Sequence, residues 1–99
     1  MKFSLTIHKV AFEGLKAAAE YYEALQKGLS IRLLDDWDET LEAIIKTPLG
    51  FQKKFKDFRC IQLARFPYVI VYKVEATTIV VYQFINARRK PEKRYKKKQ

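Results

Sequence analysis

The residues of this chain that could do chemistry are mostly basic, and many of them lie near the C-terminus. After Asn86 the sequence becomes rich in cations, namely Arg88, Arg89, Lys90, Lys93, Arg94, Lys96, Lys97 and Lys98, interrupted by Pro91, Glu92 and Tyr95. Lysine and arginine bind phosphate groups, and a tyrosine among them can stack on an unpaired base. The residue types in this run therefore predict contact with a nucleic acid.

The charge of the whole chain favours the same class of partner. The 99 residues carry 20 Lys and Arg against 11 Asp and Glu, which gives a formal net charge of +9. Residues 1–50 hold six basic and eight acidic side chains, whereas residues 51–99 hold 14 and three. A surplus of this size favours polyanionic partners over neutral small molecules. We expect the second half of the chain to form the anion-binding surface.

Other kinds of site have little support in the sequence. Cys60 and His8 are the only cysteine and histidine, so the chain offers neither an internal disulfide nor a set of soft ligands for zinc. The three glycines form no Gly-x-Gly pattern, which argues against a nucleotide-cofactor loop. We expect no metal and no cofactor, and we interpret His8 as a surface residue and Cys60 as a buried, inert thiol.

The sequence also bears on location. Polar residues interrupt the first 15 positions, so they do not form the apolar core of a signal peptide. The longest apolar runs, 69–72 and 79–82, are far shorter than the roughly 20 residues that span a bilayer as a helix. We expect a soluble protein of the reducing cytoplasm that has no contact with a membrane.

The elements that must position the basic residues follow from hydrophobic periodicity. Residues 2–8 alternate apolar and polar side chains, which predicts a half-buried strand. From about Ala11 the period changes to three and four, which predicts an amphipathic helix that ends near Gly28. Ser30 can cap a second helix, which Pro48 ends because proline cannot continue it. The first half of the chain is therefore predicted to be a strand followed by a helical hairpin.

The second half indicates a sheet. Segments 51–55, 58–63, 68–74 and 79–85 are predicted as strands, and the short 75–78 loop suits an antiparallel hairpin. The predicted fold class is α+β: a twisted antiparallel sheet of about four strands packed on an N-terminal two-helix hairpin, in the order β-α-α-β-β-β. We expect one domain over residues 1–87, followed by a basic tail over 88–99.

Several residues in this half also carry a family resemblance. Arg59 on a strand is followed by the segments 63–72 (LARFPYVIVY), 79–82 (IVVY) and 86–91 (NARRKP). Together with Ile44 to Pro48 at the end of the second helix, this pattern resembles the RelE/ParE toxin superfamily over nearly the whole chain. The resemblance implies the toxin of a bacterial type II toxin-antitoxin module, of the kind also called plasmid stabilisation proteins, bound by a cognate antitoxin.

The resemblance leaves two targets open. RelE-like members are metal-independent endoribonucleases that cut messenger RNA on the ribosome, and the resemblance assigns their catalytic positions here to Arg89, Tyr95, Lys54 and Arg59. ParE-like members inhibit DNA gyrase without a nuclease site. Val69 and Asn86 stand where nuclease members carry an arginine and a histidine, and the Phe-Pro-Tyr block at 66–68 is more similar to the ParE-like members.

The remaining basic residues are predicted to bind nucleic acid: Lys53, Lys56, Arg65, Arg88, Lys90 and Arg94. Lysines at positions 53, 54 and 56 have a second interpretation, because lysine commonly protects an exposed sheet edge from pairing. A second copy of the chain is a further candidate partner, and a degenerate member that no longer inhibits growth is a third functional alternative.

Overall fold

A computed structural model describes residues 2–88 of the chain, as two helices and five strands. The elements in chain order are β1 (Ser4–Ile7), α1 (Lys9–Leu25), α2 (Leu29–Lys46), β2 (Lys53–Phe55), β3 (Phe58–Gln62), β4 (Tyr68–Glu75) and β5 (Thr78–Asn86). The strands form one sheet in the order β1-β5-β4-β3-β2. This is the predicted α+β architecture.

The sheet differs from the prediction in strand number and in direction. It has five strands rather than about four, because β2 and β3 both form, on either side of the turn at Lys56 and Asp57. Strands β2 to β5 form an antiparallel meander, whereas β1 pairs in parallel with β5. After β1 the chain forms the helical hairpin and then enters the sheet at the opposite edge as β2. Each of the next three strands reverses direction, and the last of them, β5, lies beside β1 and runs parallel to it.

The turn between the helices is stabilised by a residue other than the predicted cap. Gly28 has a φ of +94°, a backbone conformation that glycine adopts without strain. The carboxylate of Glu23 accepts hydrogen bonds from the backbone N–H of Gly28 and of Ser30, and from the Ser30 hydroxyl at 2.7 Å. These bonds, above all the one from the hydroxyl, lower the pKa of Glu23. Ser30 is therefore a donor to Glu23 and does not cap α2.

Both helices cover one face of the sheet. The buried core between the layers consists of Ala11, Leu15 and Ala18 from α1, Leu33, Trp37, Leu41 and Ile44 from α2, and Leu63, Ile70, Tyr72, Ile79, Val81 and Phe84 from the sheet side. Helix α1 lies especially close to β5, because a Cβ atom added at Gly14 would stand 2.5 Å from the carbonyl oxygen of Phe84. The absence of a side chain at Gly14 thus sets the helix–sheet distance. Neither helix of the described residues is long and apolar enough to cross a membrane.

Candidate functional site

Arg59, a predicted catalytic residue, is used to hold the loop that follows α2. It is half-buried on β3, opposite Tyr72 of β4. Its guanidinium donates a hydrogen bond of 2.6 Å to the carbonyl oxygen of Phe51 and a longer one of 3.3 Å to that of Leu49. Backbone carbonyls therefore already occupy part of the hydrogen-bond donor capacity of this guanidinium. The structure thus gives Arg59 a positioning role for the 49–51 segment.

Tyr72 holds the same loop from the neighbouring strand, a role the sequence analysis missed. Its side chain is fully buried, and its hydroxyl donates a hydrogen bond of 2.7 Å to the carbonyl oxygen of Pro48. Burial raises the pKa of Tyr72 to about 12. The one sequence signal for this role is that a tyrosine stands at a core-facing strand position. A buried tyrosine hydroxyl usually needs a hydrogen-bond partner, but the sequence does not show which one. Tyr72 and Arg59 together fix the exit from α2.

The three lysines around β2 lie at the sheet edge. Lys53 and Lys54 are exposed on β2, and Lys56 occupies the β2–β3 turn with a positive φ of 49°. Lys53 pairs in register with Arg59, and its ammonium lies 3.6 Å from the Asp57 carboxylate. Because β2 is an edge strand, both earlier interpretations of these lysines stay open: contact with nucleic acid and protection of the edge.

A shallow cavity brings two of the predicted site residues together. It has a volume of about 310 Å³ and is lined by Phe3, Leu49, Lys53, Asp57, Arg59, Val74 and Ala76. Lys53 and Arg59 therefore share one opening at this end of the sheet. Lys54 is not among the lining residues.

Arg65 lies at the other end of β3 and faces acidic residues. Its guanidinium donates to the carboxylate of Glu39 at 3.1 Å and stands 3.7 Å from that of the buried Asp36. The contact with Glu39 raises the pKa of Arg65 further. Its charge is thus partly compensated by α2, and it is not adjacent to the Lys53–Arg59 cavity.

The loop that carries Arg65 is fixed by Asp36. This carboxylate accepts backbone N–H groups from Ala64 at 3.2 Å, from Arg65 at 2.8 Å and from Phe66 at 3.1 Å. Asp36 is fully buried, so the three donors supply the partners that its charge needs away from water. Asp36 was not among the predicted site residues, although it lies at core-facing spacing between Leu33 and Thr40.

The described residues end at Arg88, just before the predicted catalytic residues Arg89 and Tyr95. Arg88 is exposed, and its backbone N–H donates to the side-chain oxygen of Asn86 at 3.0 Å. Asn86 pairs in register with Tyr68, and Val69 with Ile85, at the same end of the sheet. The remaining predicted residues of the tail, namely Arg89, Lys90, Arg94 and Tyr95, lie outside the described residues.

His8 and Cys60 have local roles. The Nδ1 atom of His8 accepts the backbone N–H of Val10 at 3.1 Å and so caps α1, and its ring stacks on Tyr82 with 5.6 Å between centroids. Cys60 is half-buried, and burial raises the pKa of its thiol, which disfavours the reactive thiolate. Across residues 2–88, no cluster of three or more His, Cys, Asp or Glu side chains could hold a metal ion.

A larger groove runs between α1 and the free edge of β5. β1 pairs only with residues 78–81, so no described strand covers the β1-side edge of β5 beyond Val81. Beside this edge is a cavity of about 510 Å³, lined by Val10, Glu13, Gly14, Ala17, Ala18, Tyr21, Tyr68, Phe84, Ile85 and Asn86. Its floor is mainly apolar, and Glu13 is its one charged lining residue. An open strand edge beside an apolar cavity suits an extended peptide.

Solved structures of toxin-antitoxin systems share the fold just described. A chain of the chromosomal ParDE TA system from P. aeruginosa matches with a TM-score of 0.78 and 18% identity, over 88% of this chain and 98% of that one. The isolated RelE toxin from E. coli matches at 0.60 and 17% identity, over 97% of this chain and 96% of that one. A chain of the intact E. coli RelBE toxin-antitoxin complex gives 0.62 and 17%, over 88% and 99%.

These matches identify the fold of the chain. No protein-family model matches the chain, and no curated protein does. The chain has the fold of the RelE/ParE toxins, which is the fold that the resemblance of its motifs implied.

Proposed function

We propose that this chain is the toxin of a bacterial type II toxin-antitoxin module and that it acts in the ParE-like way, on DNA gyrase, without cutting RNA. The observation that carries the proposal is the shared fold, which extends over 98% of the matched chain in the ParDE system. The basic second half of the chain supports a target that works on nucleic acid.

Three features favour the ParE-like branch over the ribonuclease. The TM-score to the ParDE chain is 0.78, against 0.60 and 0.62 for the two RelE matches. Arg59, which was predicted to be catalytic, is engaged by backbone carbonyls, and Arg65, which was predicted to bind nucleic acid, is engaged by acidic side chains. Val69 and Asn86 supply neither a cation nor a base to a phosphate.

The antitoxin is the partner that the proposal requires. The groove between α1 and the free edge of β5 is the surface we assign to it, because main-chain hydrogen bonds to the edge would give affinity and apolar side chains would fill the 510 Å³ cavity. Glu13 at the rim would favour a basic residue on the bound segment.

The proposal is tested by induced expression in a bacterial host. Growth, a reporter of DNA damage and genome-wide mapping of new 5′ RNA ends are followed together for the natural chain, for Arg89→Ala and for Lys9→Ala, an exposed control on α1. We expect growth arrest, a raised damage signal and no new RNA ends. New RNA ends that disappear in Arg89→Ala but persist in Lys9→Ala would establish the ribonuclease branch. Undiminished growth would indicate a degenerate member.

A further inference from the structure

Strand β1 forms one edge of the sheet, and no described strand pairs with its outer side. On the inner side, the backbone N–H of Ser4 donates to the carbonyl oxygen of Thr77, next to β5. The backbone groups of successive strand residues point to opposite sides, so the N–H and C=O groups of Leu5 and Ile7 point outwards. Four strong hydrogen-bonding groups therefore stand in a row along this edge.

The two edges of the sheet differ in their protection against pairing. The opposite edge, β2, carries Lys53 and Lys54 and an irregular register, and both features disfavour the addition of another strand. In contrast, β1 has no charged residue, and all four of its residues are exposed. Leu5 is 36% and Ile7 37% exposed, and neither belongs to the buried core. The β1 edge is thus uncharged, partly apolar and open to pairing.

The sequence of β1 is symmetric about Thr6, with one large apolar residue on either side. In an antiparallel pair of two copies centred on Thr6, Leu5 lies opposite Ile7 of the other copy, and Ile7 lies opposite Leu5. Each of these two pairs exchanges two main-chain hydrogen bonds, so every outward group of the edge is used. Such an interface uses the same surface in both copies and closes at a dimer.

The side chains fit the same register. Leu5 and Ile7 form apolar cross-strand pairs on one face of the joined sheet, and on the other face Thr6 meets Thr6 of the second copy. No charged residue lies within the paired segments. Lys2 and Lys9 flank them, so the ends of the two strands bring cations near one another, and salt should screen this repulsion.

We propose that two copies of this chain associate through their β1 edges, in the antiparallel register centred on Thr6, so that the two sheets become one continuous sheet. This surface is separate from the free edge of β5 beyond Val81 that is assigned to the antitoxin. The proposal does not depend on whether the target is gyrase or RNA. Four main-chain hydrogen bonds and two apolar pairs form a small interface, which is typical of a weak dimer that depends on concentration.

Sedimentation of the full chain over a range of concentrations tests whether this dimer forms. We expect a monomer–dimer equilibrium that moves towards the dimer as salt is added, because each copy carries a net charge of +9. Thr6→Lys places two cations face to face on the symmetry axis and should weaken association at least about tenfold. Gln26→Lys is the matched control, because it adds the same charge at an exposed position away from β1.

The register is tested by a cross-link in a chain that also carries Cys60→Ser. Under mild oxidation Thr6→Cys should form an intermolecular disulfide, because the Cα atoms of such a non-hydrogen-bonded pair are about 4.5 Å apart. Ser4→Cys is the matched control on the same strand. The register places position 4 opposite His8 of the other copy and about 13 Å along the strand from its own counterpart, so it should not cross-link.

Three results would overturn the proposal. They are a chain that stays monomeric at its highest soluble concentration in high salt, a dimer that Thr6→Lys leaves unchanged, and a disulfide that forms as fast in Ser4→Cys as in Thr6→Cys. The last two results would assign the dimer to another surface or register. Circular dichroism and thermal melting establish that each variant is folded.

Discussion

At the scale of single residues, Tyr72 and Arg59 show how side chains on adjacent strands can hold one loop. Both donate hydrogen bonds to carbonyl oxygens of the loop after α2, Tyr72 to Pro48 and Arg59 to Phe51. A strand sequence identifies Arg59 as a cation but not what it binds, because the acceptors come from a loop eight to ten residues earlier. The sequence therefore could not show that Arg59 contacts this loop, and its predicted catalytic role stays a prediction.

Replacing Tyr72 tests this role. Tyr72→Phe removes the bond to Pro48 and leaves a buried carbonyl without its partner, so we expect the free energy of unfolding at neutral pH to fall by about 1–2 kcal/mol. Tyr21→Phe, on the exposed surface of α1, is the control and should change it little. Chemical denaturation of the three proteins measures the difference. Equal stability of Tyr72→Phe and the natural chain would contradict the assigned hydrogen bond.

The same residue predicts a pH dependence. Its pKa is raised from 10.0 to about 12 in the folded chain, so folding favours the protonated hydroxyl. The stability from this shift is complete below pH 10 and is lost as the pH rises through about 12. The stability difference between the natural chain and Tyr72→Phe should therefore shrink over that window. A difference that stays constant from pH 9 to 12 would contradict the raised pKa.

At the scale of elements, the β3–β4 loop is attached to α2 by Asp36. Asp36→Ala removes the acceptor of three backbone N–H groups, and we expect a loss of about 2–4 kcal/mol in the free energy of unfolding. Asp35→Ala is the matched control, because Asp35 is the exposed neighbour on the same helix. Denaturation curves that shift equally for both variants would show that the loop does not depend on this carboxylate.

The packing of α1 on β5 supplies a second element-scale prediction. Gly14→Ala places a methyl group where only 2.5 Å separates it from the Phe84 carbonyl oxygen. We expect a net loss of about 1–3 kcal/mol, although alanine favours a helix by about 1 kcal/mol over glycine. Thermal melting against Glu20→Ala, an exposed position of α1, gives the comparison. A variant more stable than the natural chain would mean that the helix can move away without cost.

The sequence was sufficient for the local features of the elements and insufficient for their long-range partners. Periodicity located both helices, and β-rich runs located the strands, because these signals lie within a few residues. The parallel pairing of β1 with β5 joins residues more than 70 positions apart, and nothing in a four-residue strand specifies it. Glu23 and Asp36 were missed for the same reason: their acceptor roles depend on backbone groups that only the tertiary fold brings near.

At the scale of the whole molecule, charge is divided between two surfaces. The edge strand β2 exposes Lys53 and Lys54, whereas α2 exposes Asp35, Asp38, Glu39 and Glu42 beside its two cations Arg32 and Lys46. A molecule so divided can present a cationic surface to an enzyme that works on nucleic acid. The candidate site could be predicted only in part from the sequence. Residue type identified Arg65 as a cation that could bind nucleic acid, but only the fold shows that its guanidinium contacts Glu39.

The most direct test of the proposed function is a DNA supercoiling assay with purified gyrase and the purified full chain. If the chain is a ParE-like toxin, increasing amounts should inhibit supercoiling of a relaxed plasmid, while a messenger RNA translated on ribosomes in the presence of the chain stays intact. Unchanged supercoiling together with cleavage of that messenger RNA would contradict the account and assign the chain to the ribonuclease branch.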